Sequence, residues 1–168
     1  IYHHTKKKKT LPSTFMDQLN SRIEKVFAVH PDFNEESVSF GTLDILSFKS
    51  LVNKTMKLEQ KLSPKYSVRI HGDFNNDNIL YNQKTDKIHF LDLHRSEMGD
   101  YVQDISVLIM SNFRMEAKDK DLIGRVNHIA QRLYRFGYQV ALENKDKCYP
   151  VRMAIALARS FITSTRFV

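Results

Sequence analysis

The sequence predicts a mainly helical α+β fold with a small β-hairpin at its centre. Apolar residues recur every three or four positions on both sides of residues 67–91, which is the period of helices. Between them, short apolar segments separated by polar turns have the pattern of strands. A length of 168 residues with 42% hydrophobic content suffices for one globular domain with a real core.

The amino-terminal part predicts two helices. The first begins near Ser13, where Ser13 or Thr14 would cap it. It ends at His30, because Pro31 disfavours helical geometry in the residue before it. A loop follows, and a second helix is predicted from about residue 43 to residue 60.

The centre and the carboxyl-terminal part predict strands and then helices again. Strands are expected at residues 67–70, 79–81 and 88–91, and a polar turn joins the last two into a hairpin. After Gly99 the helical period returns. Three apolar faces predict three further helices, over residues 101–109, 122–140 and 151–162.

Polar residues are densest in the strand-rich centre, in the run His71-Gly-Asp-Phe-Asn-Asn-Asp-Asn78. Asp73 follows a strand, so its carboxylate can accept a hydrogen bond from a substrate hydroxyl and direct that hydroxyl to a phosphorus atom. Asn78 offers an amide oxygen suited to a hard cation such as magnesium. Asp92 ends the next strand and offers an anionic ligand for a metal that bridges phosphates. Together these residues predict phosphoryl transfer.

The same motifs resemble those of the aminoglycoside phosphotransferase and choline kinase family, whose members share the fold of protein kinases. The resemblance covers about residues 68–109 and consists of His71-Gly-Asp-x-x-x-x-Asn78, Phe90-Leu-Asp92, Gly99-Asp100 and Asp104-Ile105. The flanking helices fit the carboxyl-terminal lobe of that family. The resemblance therefore implies a protein-kinase-like carboxyl-terminal lobe over residues 13–168, preceded by a basic flexible terminus over residues 1–12.

The resemblance also implies a role for each matched residue. Asp73 would be the catalytic base, and Asn78 and Asp92 would bind Mg²⁺ and, through it, ATP or GTP. His71 would support the catalytic loop, and Asp104 would anchor the backbone of that loop. Two further positions are weaker assignments: Arg95, where the family often has a basic residue, and His94, where related enzymes commonly have Gly.

The family also needs an amino-terminal lobe, which this sequence lacks. Five glycines do not provide a Gly-rich phosphate loop, and no strand before Asp73 offers a lysine for the nucleotide. The chain also begins at Ile1 rather than at Met. We therefore expect a catalytic-lobe fragment that binds ATP weakly and turns over slowly or not at all by itself.

Two alternatives remain open at this point. A kinase-like lobe can also serve as a non-catalytic binding module. In a metal-dependent hydrolase, His71-x-Asp73 and Asp92-x-His94 would supply four ligands to one or two metals. The hydrolase alternative explains His94 but not Asn78, Asp100 or Asp104.

Composition limits the location and the partners. The single cysteine and the absence of a signal peptide favour the cytoplasm, and no apolar run is long enough to span a membrane. The net charge is +7, and residues 111–168 hold 11 Lys and Arg against 5 Asp and Glu. No nucleic-acid motif is visible, which argues against that ligand. We expect a small-molecule hydroxyl substrate, such as a sugar, an amino sugar, a choline-like alcohol or a related metabolite. The basic last third favours a sugar, a phosphorylated or carboxylated metabolite, or a capsule or lipid precursor over a polycationic aminoglycoside.

Overall fold

The structure, a computed structural model, describes residues 2–6, 11–115 and 119–167. Within these residues the helices are α1 (Tyr2–Thr5), α2 (Phe15–Asn20), α3 (Ile23–Val29), α4 (Phe48–Glu59), α5 (Val102–Phe113), α6 (Lys120–Glu143) and α7 (Tyr149–Ser164). The strands are β1 (Ser37–Phe40), β2 (Leu43–Leu46), β3 (Val68–Ile70), β4 (Ile79–Asn82), β5 (Lys87–Phe90) and β6 (Glu97–Gly99). The predicted mainly helical α+β class is confirmed.

The hydrophobic core lies between the helices. Helix α5 packs against both α6 and α7, and α2 packs against α7. Leu19, Val102, Tyr149 and Ala156 are fully buried at these contacts. The helices thus form a rigid body from which the strand-rich centre projects.

The strands form three separate antiparallel pairs: β1 with β2, β3 with β6, and β4 with β5. In the second pair Val68 lies opposite Gly99 and Ile70 lies opposite Glu97. Because β3 pairs with β6, residues 71–96 form one segment that leaves the helices and returns to them. This segment contains the β4–β5 hairpin, the polar run of residues 71–78 and the loop with Asp92.

The prediction of a single helix from Ser13 to His30 is wrong, because the structure contains two separate helices there, α2 and α3. Arg22 adopts φ −122° and ψ −3°, outside helical geometry. The Ser21 hydroxyl donates to the Gln18 carbonyl at 2.9 Å and the Arg22 N–H bonds the Leu19 carbonyl at 2.9 Å, so the end of α2 is tightened into a turn. The Arg22 side chain reaches a cavity described below.

The second predicted helix begins too early, and part of the preceding loop is a strand. Residues 43–46 form β2, which pairs with β1 across a turn at Gly41, where φ is +62°. The helix begins only at Phe48, because the Ser47 hydroxyl accepts a hydrogen bond from the Ser50 N–H at 3.3 Å and caps it. Strand β6 was also not predicted, since three residues ending in Gly99 give little strand signal.

Residues 5 and 6 of the basic terminus contact the folded body. The Arg69 N–H donates to the Thr5 hydroxyl at 3.0 Å, and Lys6 Nζ donates to Asn144 Oδ1 at 2.7 Å. Lys6 Nζ also lies 4.3 Å from the centroid of the Tyr66 ring. The rest of the lysine run, residues 7–9, lies outside the described residues, and the flexibility of residues 1–12 stays a prediction.

None of the helices in the described ranges combines the length and the apolarity needed to cross a bilayer. A cytoplasmic location stays a prediction.

Candidate active site

Gly72 sits where two loops of the candidate site touch. Its φ is +87°, in the left-handed region that favours glycine. A Cβ atom at this position would lie 2.3 Å from the carbonyl oxygen of Arg95. The loop after β3 and the loop after β5 can therefore approach this closely only with glycine at residue 72.

Asp104, in the first turn of α5, holds the backbone of the loop that contains Asp73. Its carboxylate accepts hydrogen bonds from the His71 N–H at 2.7 Å and from the Gly72 N–H at 3.0 Å. Burial raises the pKa of the Asp104 carboxyl, although these two N–H groups act in the opposite direction. Two charge-assisted hydrogen bonds therefore join the loop to the rigid helical body.

His71 joins the same loop to the one that contains Asp92. One ring nitrogen, Nε2, lies 2.8 Å from the Leu91 carbonyl oxygen, and the other, Nδ1, lies 3.4 Å from the Asp73 N–H. A carbonyl oxygen only accepts and an N–H only donates, so these partners require the neutral ring with its proton on Nε2. The imidazole is buried, with 7% exposure, and both of its nitrogens are used.

Asn78 is positioned by a short 3₁₀ turn over Asn76–Asn78, which Asn75 caps through its side-chain oxygen. The amide nitrogen of Asn78 donates to the Asp73 carbonyl at 2.9 Å, which leaves the amide oxygen for another partner. The Leu91 N–H donates to the Asn78 carbonyl at 3.0 Å, so residue 78 lies beside the loop that leads to Asp92.

A chain of polar contacts runs from Asp92 to Asp73. Asp92 adopts the left-handed region with φ +56°, and its carboxylate contacts Nδ1 of His94. Arg95 Nε donates to His94 Nε2 at 3.2 Å, and Arg95 Nη1 donates to Asp73 Oδ2 at 3.2 Å. The second oxygen of Asp73 accepts from Asn75 Nδ2 at 3.3 Å. The predicted site residues are thus linked into one cluster.

A cavity of about 870 Å³ opens beside Asp73. Gly72, Asp73, His94 and Arg95 form one wall of it, whereas Asn78 and Asp92 are not among its lining residues. The other lining residues come from α2, α5 and α7 and from the 3₁₀ turn at Thr165–Phe167. The Asp73 carboxylate therefore lines the cavity, whereas Asn78 and Asp92 lie outside its lining.

The sequence analysis missed several residues of this cavity. Four of them are arginines that approach from distant parts of the chain: Arg22, Arg114, Arg159 and Arg166. For Arg114, Arg159 and Arg166 the sequence contained one indication, the excess of Lys and Arg in residues 111–168. This excess favoured an anionic partner but did not show where that partner would bind.

The residues fit magnesium better than they fit a transition metal. Among the described residues, no three His, Cys, Asp or Glu side chains come together in a way that could hold a metal ion. The four-ligand arrangement of the hydrolase alternative is therefore not formed, and both nitrogens of His71 are occupied. Magnesium is commonly bound by one or two protein oxygens together with water and phosphate oxygens. The amide oxygen of Asn78 and the carboxylate of Asp92 are suited to that mode.

Comparison with known proteins identifies the family. The sequence profile described as "Phosphotransferase enzyme family" matches residues 44–141, more than half of the chain. This chain belongs to the phosphotransferase enzyme family. The match includes all seven predicted site residues, from His71 to Asp104, but ends before Arg159 and Arg166. The resemblance stated from the motifs is therefore confirmed at the level of the family.

Among solved structures, a glucosamine kinase (crystal form B) is similar with 14% sequence identity and a TM-score of 0.40. The alignment covers 95% of this chain and 41% of that one, so this phosphotransferase-family chain spans less than half the length of the kinase. No curated protein matches.

Proposed function

We propose that this chain is the catalytic part of an ATP-dependent phosphotransferase that moves the γ-phosphate to a hydroxyl of a small molecule. The main support is that the Asp73 carboxylate lines a large cavity, on a loop held by Asp104 and His71. Membership of the phosphotransferase family supports the same reaction class. The acceptor belongs to the sugars, amino sugars, choline-like alcohols or related metabolites.

In this proposal Asp73 acts on the acceptor hydroxyl. One carboxylate oxygen accepts a hydrogen bond from the hydroxyl, orients it and takes up its proton as the new O–P bond forms. The bond between the γ-phosphorus and the β–γ bridging oxygen breaks in the same step, and the nucleoside diphosphate leaves with that oxygen. Arg95 and Asn75 each contact one oxygen of this carboxylate and hold its orientation. His71 and Asp104 are positioning residues, because they act on the loop backbone and not on the reacting atoms.

The nucleotide and its metal would bind at Asn78 and Asp92, which do not line the cavity. Asn78 and Asp92 would hold Mg²⁺, and His94 orients Asp92 through the contact between their side chains. Bound magnesium would neutralise the charge that builds on the transferred phosphoryl group. Either ATP or GTP would serve as the nucleotide.

The decisive experiment measures phosphate transfer from γ-labelled ATP in the natural polypeptide that contains these 168 residues. The acceptors would be a panel of neutral sugars, amino sugars, choline-type alcohols and sugar acids. We expect Asp73→Asn to lower kcat by about 10²- to 10⁴-fold, the usual contribution of a general base, with an unchanged circular dichroism spectrum.

Asp121→Asn provides the matched control, because it removes an exposed carboxylate from α6, and it should retain full activity. Equal activity of Asp73→Asn and the parent protein would overturn the proposal. Tight nucleotide binding without any transfer would favour the non-catalytic binding module instead.

A further inference from the structure

The lining of the cavity beside Asp73 is strongly basic. Arg22 follows α2, Arg114 ends α5, Arg159 lies within α7, and Arg166 lies in the 3₁₀ turn after it. All four line the cavity together with Arg95, against only Asp73 and Glu97 as acidic lining residues. In the described part of the chain, none of these four arginines forms an ion pair with a carboxylate. Among the described residues, therefore, no carboxylate neutralises these four charges by direct contact.

The burial of an arginine without an ion-pair partner is most pronounced at Arg159. Its side chain is buried, with only 4% exposure, and its Nε and Nη2 atoms have no hydrogen-bond partner among the described residues. Burial, together with the charge of Arg22, lowers the pKa of Arg159 to about 10. The nearby Glu59 opposes this effect, but its two oxygens accept from the backbone N–H groups of Phe15 and Met16. The guanidinium also lies 5.5 Å from the centroid of the Phe15 ring. Buried charged groups are normally hydrogen-bonded to an anion, so a cavity-lining guanidinium with two nitrogens unsatisfied among the described residues indicates an external partner.

The neighbouring arginines repel one another. The pKa of Arg166 is lowered by burial and by the positive charges of Arg22, Arg114 and Arg95, while the charge of Asp73 raises it. Arg166 Nη1 donates a hydrogen bond to the Thr163 carbonyl oxygen at 2.7 Å. Gathering like charges is unfavourable unless a ligand compensates them. Guanidinium groups bind carboxylate and phosphate in a fixed, two-pronged geometry.

We propose that the cavity binds the carboxylate or phosphate group of the acceptor, with Arg159 and the neighbouring arginines around the anion and Asp73 at the hydroxyl. The inference rests on the proposed function for the place of the hydroxyl. It narrows the acceptor to an acidic hydroxyl compound, such as a sugar phosphate or a sugar acid. A cationic acceptor would meet repulsion at the same wall.

Binding to the 168-residue chain tests this directly, without nucleotide and without turnover. The probes are glucose 6-phosphate, gluconate, neutral glucose and cationic glucosamine, each titrated by calorimetry at low and at high salt. We expect the two acids to bind at least about tenfold more tightly than glucose, since one charged hydrogen bond contributes more than a factor of ten. Their affinity should fall as salt is raised.

Variants locate the site. Arg159→Gln should weaken the binding of both acids by about tenfold or more. Arg114→Gln should weaken it in the same direction, and because Arg114 is exposed this variant keeps the test valid if the buried substitution disturbs folding. Arg135→Gln makes the same charge change at an exposed position of α6 outside the cavity and should leave binding unchanged.

Equal affinity for glucose and glucose 6-phosphate would overturn the inference, as would identical binding by the arginine variants and the parent chain. Complete displacement of glucose 6-phosphate by ATP would also overturn it, because the arginines would then serve the nucleotide. An active enzyme that prefers glucosamine would overturn the inference and leave the proposed function intact. Binding of the acids to the chain, with no transfer to any acceptor by the natural polypeptide, would overturn the proposed function and leave the anion site intact.

Discussion

At the scale of single residues, His71 and Asp104 build the candidate site without facing the cavity. His71 connects the Asp73 backbone to the Leu91 carbonyl, and Asp104 receives two consecutive N–H groups of the same loop. Because both act on backbone groups, they fix the backbone at Asp73, while the side chains of Arg95 and Asn75 orient its carboxylate. Such support keeps a reactive group within the narrow geometry that catalysis requires.

The raised pKa of Asp104 predicts a specific pH dependence of stability. Burial raises this pKa above the ordinary value of 3.8, so the folded state binds the proton more readily than the unfolded chain. The stabilising contribution of Asp104 is therefore full below the unfolded pKa and is lost as the pH rises through the folded pKa. Relative to Asp104→Asn, the parent chain should gain stability when the pH is lowered from about 7 to about 4.

Urea unfolding of the parent chain and of Asp104→Asn across this pH range measures the difference between their free energies of unfolding. The effects of other titrating groups such as Glu59 are present in both chains and cancel in that difference. A difference that stays constant or shrinks on acidification would contradict the prediction. Asp121→Asn is the control for burial, since its side chain is 93% exposed. A trend of equal size in that variant would exclude burial as the cause.

At the scale of elements, α6 contains two glycines in very different surroundings. A Cβ atom at Gly124 would have no atom within 4 Å, whereas one at Gly137 would lie 2.4 Å from the Tyr149 hydroxyl and 2.7 Å from Ile105 Cδ1. Tyr149 is fully buried and its hydroxyl donates to the Tyr134 carbonyl at 3.0 Å, so it cannot move away freely. Gly137 is thus the close contact through which α6 meets α5 and α7.

The same substitution at these two positions should therefore have opposite effects. Gly124→Ala should stabilise the chain by about 0.5–1 kcal/mol, because alanine is the better helix former. Gly137→Ala should destabilise it by about 1–3 kcal/mol through overpacking. Thermal and denaturant unfolding of the two variants measure both values, and effects of equal sign would disprove this account of α6.

Element boundaries also show which parts of the fold were predictable. The β4–β5 hairpin and helices α5, α6 and α7 follow from local periodicity, and the structure contains all of them. The break at Arg22 was missed because hydrophobic periodicity does not reveal the local hydrogen bonds of Ser21 and Arg22 that end α2. Strand β6 was missed because its cause is not local: it is a strand only because β3 lies beside it.

At the scale of the whole molecule, Arg152 joins the helices through a buried ionic cluster. Its side chain has 0% exposure and contacts the carboxylates of Asp100 and Asp146. Burial lowers the pKa of Arg152, but these two charges raise it overall. Asp100 also accepts from the Ser13 hydroxyl at 2.8 Å, so the cluster links α7 to the segments that precede α2 and α5.

Removal of Arg152 should be costly. Arg152→Met would leave two buried carboxylates without their cation, and we expect a loss of about 3–5 kcal/mol of unfolding free energy. Arg125→Met is the comparison, because it removes an exposed partner 3.9 Å from Asp121 and should cost less than about 0.5 kcal/mol. Urea unfolding measures both, and similar losses in the two variants would refute a structural role for the cluster.

The sequence alone determined the fold class, the family and the residues of the polar centre, because these depend on periodicity and on spacing within residues 68–109. Only the tertiary structure decided that Arg22, Arg114, Arg159 and Arg166 line one cavity with Asp73. It also assigned the two N–H groups, of His71 and Gly72, that Asp104 binds in the loop backbone. The physical reason is that helix packing, and not spacing along the chain, brings residues from α2, α5 and α7 to a common wall.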